Sequence, residues 1–180
     1  MKGIVFTEFL EMVEEKFGLE TLDYIIENSE LESEAIYTAV GIYDAAEMFE
    51  LISNLSQKVD IPDSDLVYAY GLYFFKKLEE SHPFIFEMYK SPIELLNAIE
   101  DHIHVHVRKI YPGAELPSFE VIAKNDTSIT MIYRSERALY MFAKGLMEKT
   151  FEHYGKNAKV NFEMLNSSGT EVKFEAALNE

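Results

Sequence analysis

Apolar residues recur at three- and four-residue spacing through the first two-thirds of the chain and at two-residue spacing beyond it, which divides the sequence into a helical part and a strand-rich part. Val5, Phe6, Phe9, Leu10, Met12, Val13 and Phe17 predict an amphipathic helix closed by Gly18. Leu22 to Ile26 continues as a short helix, and Glu27 to Glu34 reads as an acidic connector. Behind a capping Asp44, the pattern Ala46, Met48, Phe49, Leu51, Ile52 and Leu55 predicts a helix reaching Val59. Pro62 opens the next, with Leu66, Val67, Tyr70, Phe74 and Leu78 on one side. Gly71 in its middle costs roughly 1 kcal/mol against Ala, so it marks close packing or a nearby ligand. Pro83 to Tyr89 is a short apolar piece. Ser91-Pro92 then caps a helix that runs to Tyr111 and is stopped by Pro112-Gly113.

After Pro117 the period changes. Phe119, Val121 and Ala123 alternate with Glu120, Ile122 and Lys124, and Asn125-Asp126 turns the chain into Ile129-Thr130-Met131-Ile132-Tyr133, a two-stranded hairpin. A helix is predicted from about Glu136 to Tyr154. Val160 to Met164 and Val172 to Ala176 form a second hairpin around Asn166-Ser167-Ser168-Gly169. The fold class is therefore α+β: a helical N-terminal subdomain followed by a C-terminal antiparallel sheet with helices. With 180 residues, 48% of them hydrophobic, and no linker-like tract, residues 1–180 are read as one domain.

The chain carries 32 acidic against 16 basic residues, a formal charge of −16. Such a surface repels phosphate backbones and anionic lipid, so neither nucleic acid nor a membrane is an expected partner. Zero cysteines remove thiolate metal sites and Cys nucleophiles and fit a reducing compartment. Glutamates from Glu8 onward interrupt the N-terminal apolar run too early for a signal core, and no run of about 20 apolar residues is present. These features predict a soluble cytoplasmic protein.

Candidate chemistry concentrates in two places. The stretch Ile99 to Gly113 holds three of the five histidines, His102, His104 and His106, on one predicted helix. His102 and His106 share the spacing of a zinc pair, but Ile103 stands where a zinc protease carries its Glu base. At 100° per residue the stripe Leu96, Ile99, Ile103, Val107 and Ile110 includes His106 and leaves His104 on its flank. Periodicity thus nominates His106 as the buried histidine, and a structural role competes with ligation. The second place is Tyr133-x-Ser135-x-Arg137, where a strand end and a helix start bring three donors within reach of one anion. Pairing of Arg137 with an acidic neighbour is the plainer reading. Taken together, a histidine helix and a carboxylate clamp suggest haem.

In the order and spacing of these pieces the chain resembles the haem nitric oxide/oxygen binding (H-NOX) domains, bacterial stand-alone proteins similar to the haem domain of soluble guanylate cyclase. The resemblance spans the opening Met1-Lys2-Gly3-Ile4-Val5, the histidine helix into Tyr111-Pro112-Gly113, Pro117, the Tyr133/Ser135/Arg137 triplet and the strand-helix-hairpin ending. It implies haem b bound between the two parts. The proximal ligand of such domains lies seven residues before the Tyr of the Tyr-Pro-Gly turn, which is His104 and not His106. Tyr133, Ser135 and Arg137 would hold the propionates, and Pro117 would press on the porphyrin.

The resemblance also implies which gas is read. Oxygen-holding relatives place a Tyr five residues after the Arg of the triplet, where this chain has Phe142. Val5, Phe9, Phe74, Leu78 and Leu146 match the other pocket positions, and Tyr73 and Tyr140 fall beside, not on, the facing positions. The expectation is a non-enzymatic sensor that binds NO and CO at ferrous iron and excludes O2. Loss of the His104 bond would displace the helix from Pro92 to Tyr111, read by a histidine kinase or a cyclic-di-GMP enzyme. A haem-free interaction domain of the same fold and a zinc hydrolase built on His102 and His106 are the competing readings.

Overall fold

The computed structural model describes residues 1–179. Helix α1 (Gly3–Phe17) ends at Gly18, whose φ of 87° needs a residue without Cβ, and α2 (Leu19–Glu27) follows at once. The acidic connector is longer than predicted, running to Asp44, because Glu47 draws it in: this buried carboxylate accepts hydrogen bonds from Ser33 and from the Tyr37 hydroxyl at 2.6 Å. Asp44 caps α3 (Ala45–Val59) as its sequence position predicts, accepting from Ala46 N at 2.9 Å.

Helix α4 (Asp63–Ser81) crosses α8 (Tyr140–His153) with two glycines at the crossing. A Cβ on Gly71 would stand 2.3 Å from Phe142 O, and one on Gly145 2.7 Å from Tyr68 O. Gly71 therefore serves close helix approach. The predicted start of α8 at Glu136 is corrected to Tyr140. Residues 135–138 instead form a turn in which Arg137 N donates to Ser135 Oγ and Ala138 sits at φ 50°, a left-handed conformation that no helix continues through.

The single helix predicted from Pro92 to Tyr111 is also corrected. After α5 (Pro83–Glu87), Ser91 caps α6 (Pro92–Asn97) by accepting from Glu94 N, and a π-helical turn (Ile99–Ile103) then leads into α7 (His104–Ile110). In the π turn Ile103 N donates to Ala98 O and His104 N to Ile99 O, each bond spanning one residue more than in an α-helix. One extra residue rotates everything downstream by about 100°. The position that an uninterrupted wheel gives to Ile103 passes to His104.

The strands β1 (Ser118–Lys124), β2 (Ser128–Arg134), β3 (Ala158–Met164) and β4 (Glu171–Leu178) form one antiparallel sheet in the order β1-β2-β4-β3. The inward face of β2 and β4, with Ile129, Met131, Tyr133, Val172, Phe174 and Ala176, packs under α6 and α8. Arg134 points outward to Glu120 and Glu171, each at 2.8 Å. A second core, of Phe6, Phe9, Met12, Leu51, Leu55 and Tyr70, joins α1, α3 and α4. These two cores meet along the α4–α8 crossing. Among the described residues, no helix is long and apolar enough to cross a membrane.

Candidate functional site

A cavity of about 610 Å³ opens between the two cores, within the range of about 300–1,000 Å³ that small-molecule sites occupy. The N-terminal core and α8 contribute Val5, Phe74, Leu78, Phe142 and Leu146, side chains with no hydrogen-bonding atom. The π turn, α7 and the strand-rich half contribute His104, Pro117, Phe119, Tyr133, Ser135 and Arg137. Ten of the eleven residues that the resemblance assigns to the cofactor therefore line one space, and His106 lines it with them. Phe9 is the exception. It is fully buried behind the wall, its ring 5.3 Å from that of Tyr70, and it supports the lining without forming it.

The hydrocarbon wall is held in shape by aromatic packing. Phe142 lies 5.1 Å from the Tyr70 ring and 5.4 Å from that of Phe74. The buried Tyr70 hydroxyl is committed to Val5 O at 2.6 Å, and burial pushes its pKa well above the ordinary phenol value. Tyr140 packs on Phe162, and the Tyr73 ring lies under the Lys77 ammonium. Neither tyrosine reaches the cavity lining. Polar lining residues occur at the end of α4, where Lys77 pairs with Glu11 at 2.5 Å and His82 Nδ1 meets Ser81 Oγ at 2.8 Å.

His104 is the buried member of the histidine helix, 8% exposed. Its Nδ1 lies 2.9 Å from Glu100 Oε1, and the same oxygen accepts Phe119 N at 2.8 Å. A carboxylate accepts but does not donate, so the imidazole proton sits on Nδ1 and Nε2 keeps its lone pair. Burial lowers the His104 pKa against the opposing pull of Glu100, favouring the neutral ring that ligates metals. His102 faces outward to the Tyr89 hydroxyl at 3.2 Å, whereas His106 packs edge-on to Phe84 with its Nε2 buried and unpartnered among the described residues. The two histidines take separate partners, and no group of three or more His, Asp and Glu side chains among the described residues forms a metal cluster.

Tyr133 is buried at the strand end, its pKa raised by burial and moderated by Ser135 and the Leu139 backbone. Arg137 donates through Nη1 to Glu115 O at 2.9 Å and through Nη2 to the Glu115 carboxylate. The guanidinium fork thus already receives a carboxylate at the cavity rim, from a side chain that is mostly exposed. Glu115 and Glu100 were not singled out from the sequence. The signal for Glu100 was available: it stands one turn before His104, the spacing at which helix side chains meet.

A buried imidazole with a free nitrogen, a dry wall and an arginine fork fit a flat metal-bearing cofactor with carboxylate tails. The haem-NO-binding family model matches residues 2–162. The chain belongs to the H-NOX family. H-NOX domains are haem-based gas sensors. The chain is similar to the Fe(II) unliganded H-NOX protein of K. algicida at 53% identity, with a TM-score of 0.97 over 100% of this chain and 97% of that one. It is 39% identical to the Shewanella woodyi H-NOX solved with IWP-051 in the Fe(II)CO state, with a TM-score of 0.83 over 98% and 94%. The S. oneidensis H-NOX in its Fe(II)NO state, 23% identical over the full length of both chains, shares the fold with a TM-score of 0.91.

Proposed function

We propose that this H-NOX domain, a single unit over its whole length, is a cytoplasmic, non-enzymatic sensor of NO and CO that uses ferrous haem b and rejects O2. One observation carries the reading: His104, its Nδ1 taken by Glu100, lines the same cavity as Val5, Phe74, Leu78, Phe142 and Leu146, five side chains that hold no donor. When bound, ferrous haem supplies a metal that takes NO or CO strongly without a hydrogen bond. His104 would hold that metal through Nε2, Pro117 would press on the ring, and Tyr133, Ser135 and Arg137 would hold the carboxylate tails. Phe142 and Phe74 discriminate by what they lack, since an outer oxygen bearing partial negative charge finds no donor there.

Signalling would follow from release of His104. The imidazole is rooted at the junction of the π turn and α7, so its release would free that segment to shift relative to the N-terminal helices. A histidine kinase or a cyclic-di-GMP enzyme would read the displacement, which requires different affinity for the two states. The test is an absorption spectrum of the ferrous protein in air and then under NO: a stable oxy spectrum, or a colourless protein after haem supplementation, would defeat the proposal. His104→Gly should reproduce the NO response of the partner without NO, and a response matching the unliganded protein would defeat the relay.

A further inference from the structure

Glu100 touches the site without lining the cavity, and its contacts reach two elements at once. Oε1 accepts the His104 Nδ1 proton at 2.9 Å and the Phe119 amide at 2.8 Å, joining the π turn to the start of β1 two residues after Pro117. The Phe119 ring in turn lies 6.0 Å from the His104 ring and 5.5 Å from Tyr133. A carboxylate accepting an imidazole N–H fixes the ring's tautomer and direction and raises electron density at the opposite nitrogen, more so than a neutral acceptor does.

We propose that Glu100 is a positioning residue that sets how firmly His104 holds the metal and passes its release on to β1. This rests on the assignment of His104 as the metal ligand made above. Glu100 and His104 stand one turn apart on the same helical segment, so a displacement carries both. The bond left behind is the one to Phe119, whose amide loses its acceptor. Release of the imidazole is thereby felt at the strand that follows Pro117 and pairs with β2, which carries Tyr133.

Glu100→Gln keeps the size and an acceptor oxygen but removes the charge, whereas Glu100→Ala removes both contacts. In the haem-loaded ferrous protein both variants should shift the iron–histidine stretching band in resonance Raman to lower frequency. Under NO both should raise the ratio of His104-released to His104-held protein about 10-fold or more, the range over which second-shell partners of metal ligands act. Hydrogen exchange supplies a readout apart from the metal. The segment containing Phe119 should exchange faster in wild type when NO is added, be fast without NO in Glu100→Ala, and stay protected without NO in Glu100→Gln. An unchanged stretching band and unchanged NO-form ratio in Glu100→Gln overturn the proposal while leaving His104 as ligand. An NO spectrum and stretching band unchanged by His104→Gly would instead remove the assignment on which it rests.

Discussion

Phe142→Tyr places one hydroxyl at the wall that the proposed gas discrimination depends on. The ring is fixed between Tyr70 and Phe74 at 5.1 and 5.4 Å, so the substituent extends from a held aromatic frame and does not swing freely. The hydroxyl of the adjacent Tyr70 is already bonded to Val5 O, so the new group is not drawn to it and is left to donate to a bound ligand. A hydrogen bond to a partly charged acceptor contributes about 1.5–3 kcal/mol. That range corresponds to roughly 10- to 150-fold in affinity. The O2 affinity of the ferrous protein, read from absorption during stepwise oxygenation, should rise by that factor, while CO affinity changes less than about threefold because its outer atom accepts weakly. Without a ligand the hydroxyl is buried unpaired, so the denaturation midpoint should fall by the equivalent of about 1–3 kcal/mol. A folded variant that binds CO as before and gains less than threefold for O2 would refute the claim that the missing donor excludes oxygen.

Glu47→Ala should destabilise the protein by about 2–4 kcal/mol, because it strands Ser33 and Tyr37 in a partly buried site, and limited proteolysis should cut first between residues 28 and 44. Gly145→Ala should lower the urea midpoint despite a gain of up to about 1 kcal/mol in helix propensity. Its Cβ meets backbone at 2.7 and 2.9 Å, and overpacking of this kind costs about 1–3 kcal/mol, so an unchanged midpoint would mean that the α4–α8 crossing yields more easily than its geometry implies. Burial raises the Glu8 pKa, so the folded state binds this proton more tightly than the unfolded chain does. Its contribution to stability is therefore full below the ordinary carboxylate range and is lost as pH rises through the elevated value. Glu8→Gln should accordingly gain on wild type from about pH 4 towards pH 7, with Lys77 keeping Glu11 as partner, and a pH-independent difference between the two urea midpoints would contradict it.

Local patterns carried most of the architecture. Asp44, Ser91 and Gly18 act as the caps their positions announce, and the alternation in 119–123, 129–133 and 172–176 gives the strands that form. What sequence periodicity misplaced were features that a count of apolar positions at a fixed spacing does not register. A single rotation angle applied from Leu96 to Ile110 favoured His106, and only the resemblance to H-NOX domains pointed to His104. The extra residue per turn at Ile99–Ile103 explains the difference. The late start of α8 at Tyr140 follows from the Ser135 side chain bonding its own backbone neighbour, a local competition that an apolar count does not register. Phe9 has the right neighbours in sequence but stands one layer behind the lining, since Tyr70 and Phe74 of α4 fill the space between.

Because the pocket walls come from both cores, no contiguous fragment owns it. Dividing the polypeptide in the turn between Ile110 and Ser118 would leave His104 with the first piece and Tyr133, Ser135, Arg137 and Phe142 with the second. Neither piece alone would retain a cofactor gripped at those residues. Colour returning when the two are mixed would make pigment uptake a direct gauge of reassembly, turning the shared cavity into a split reporter.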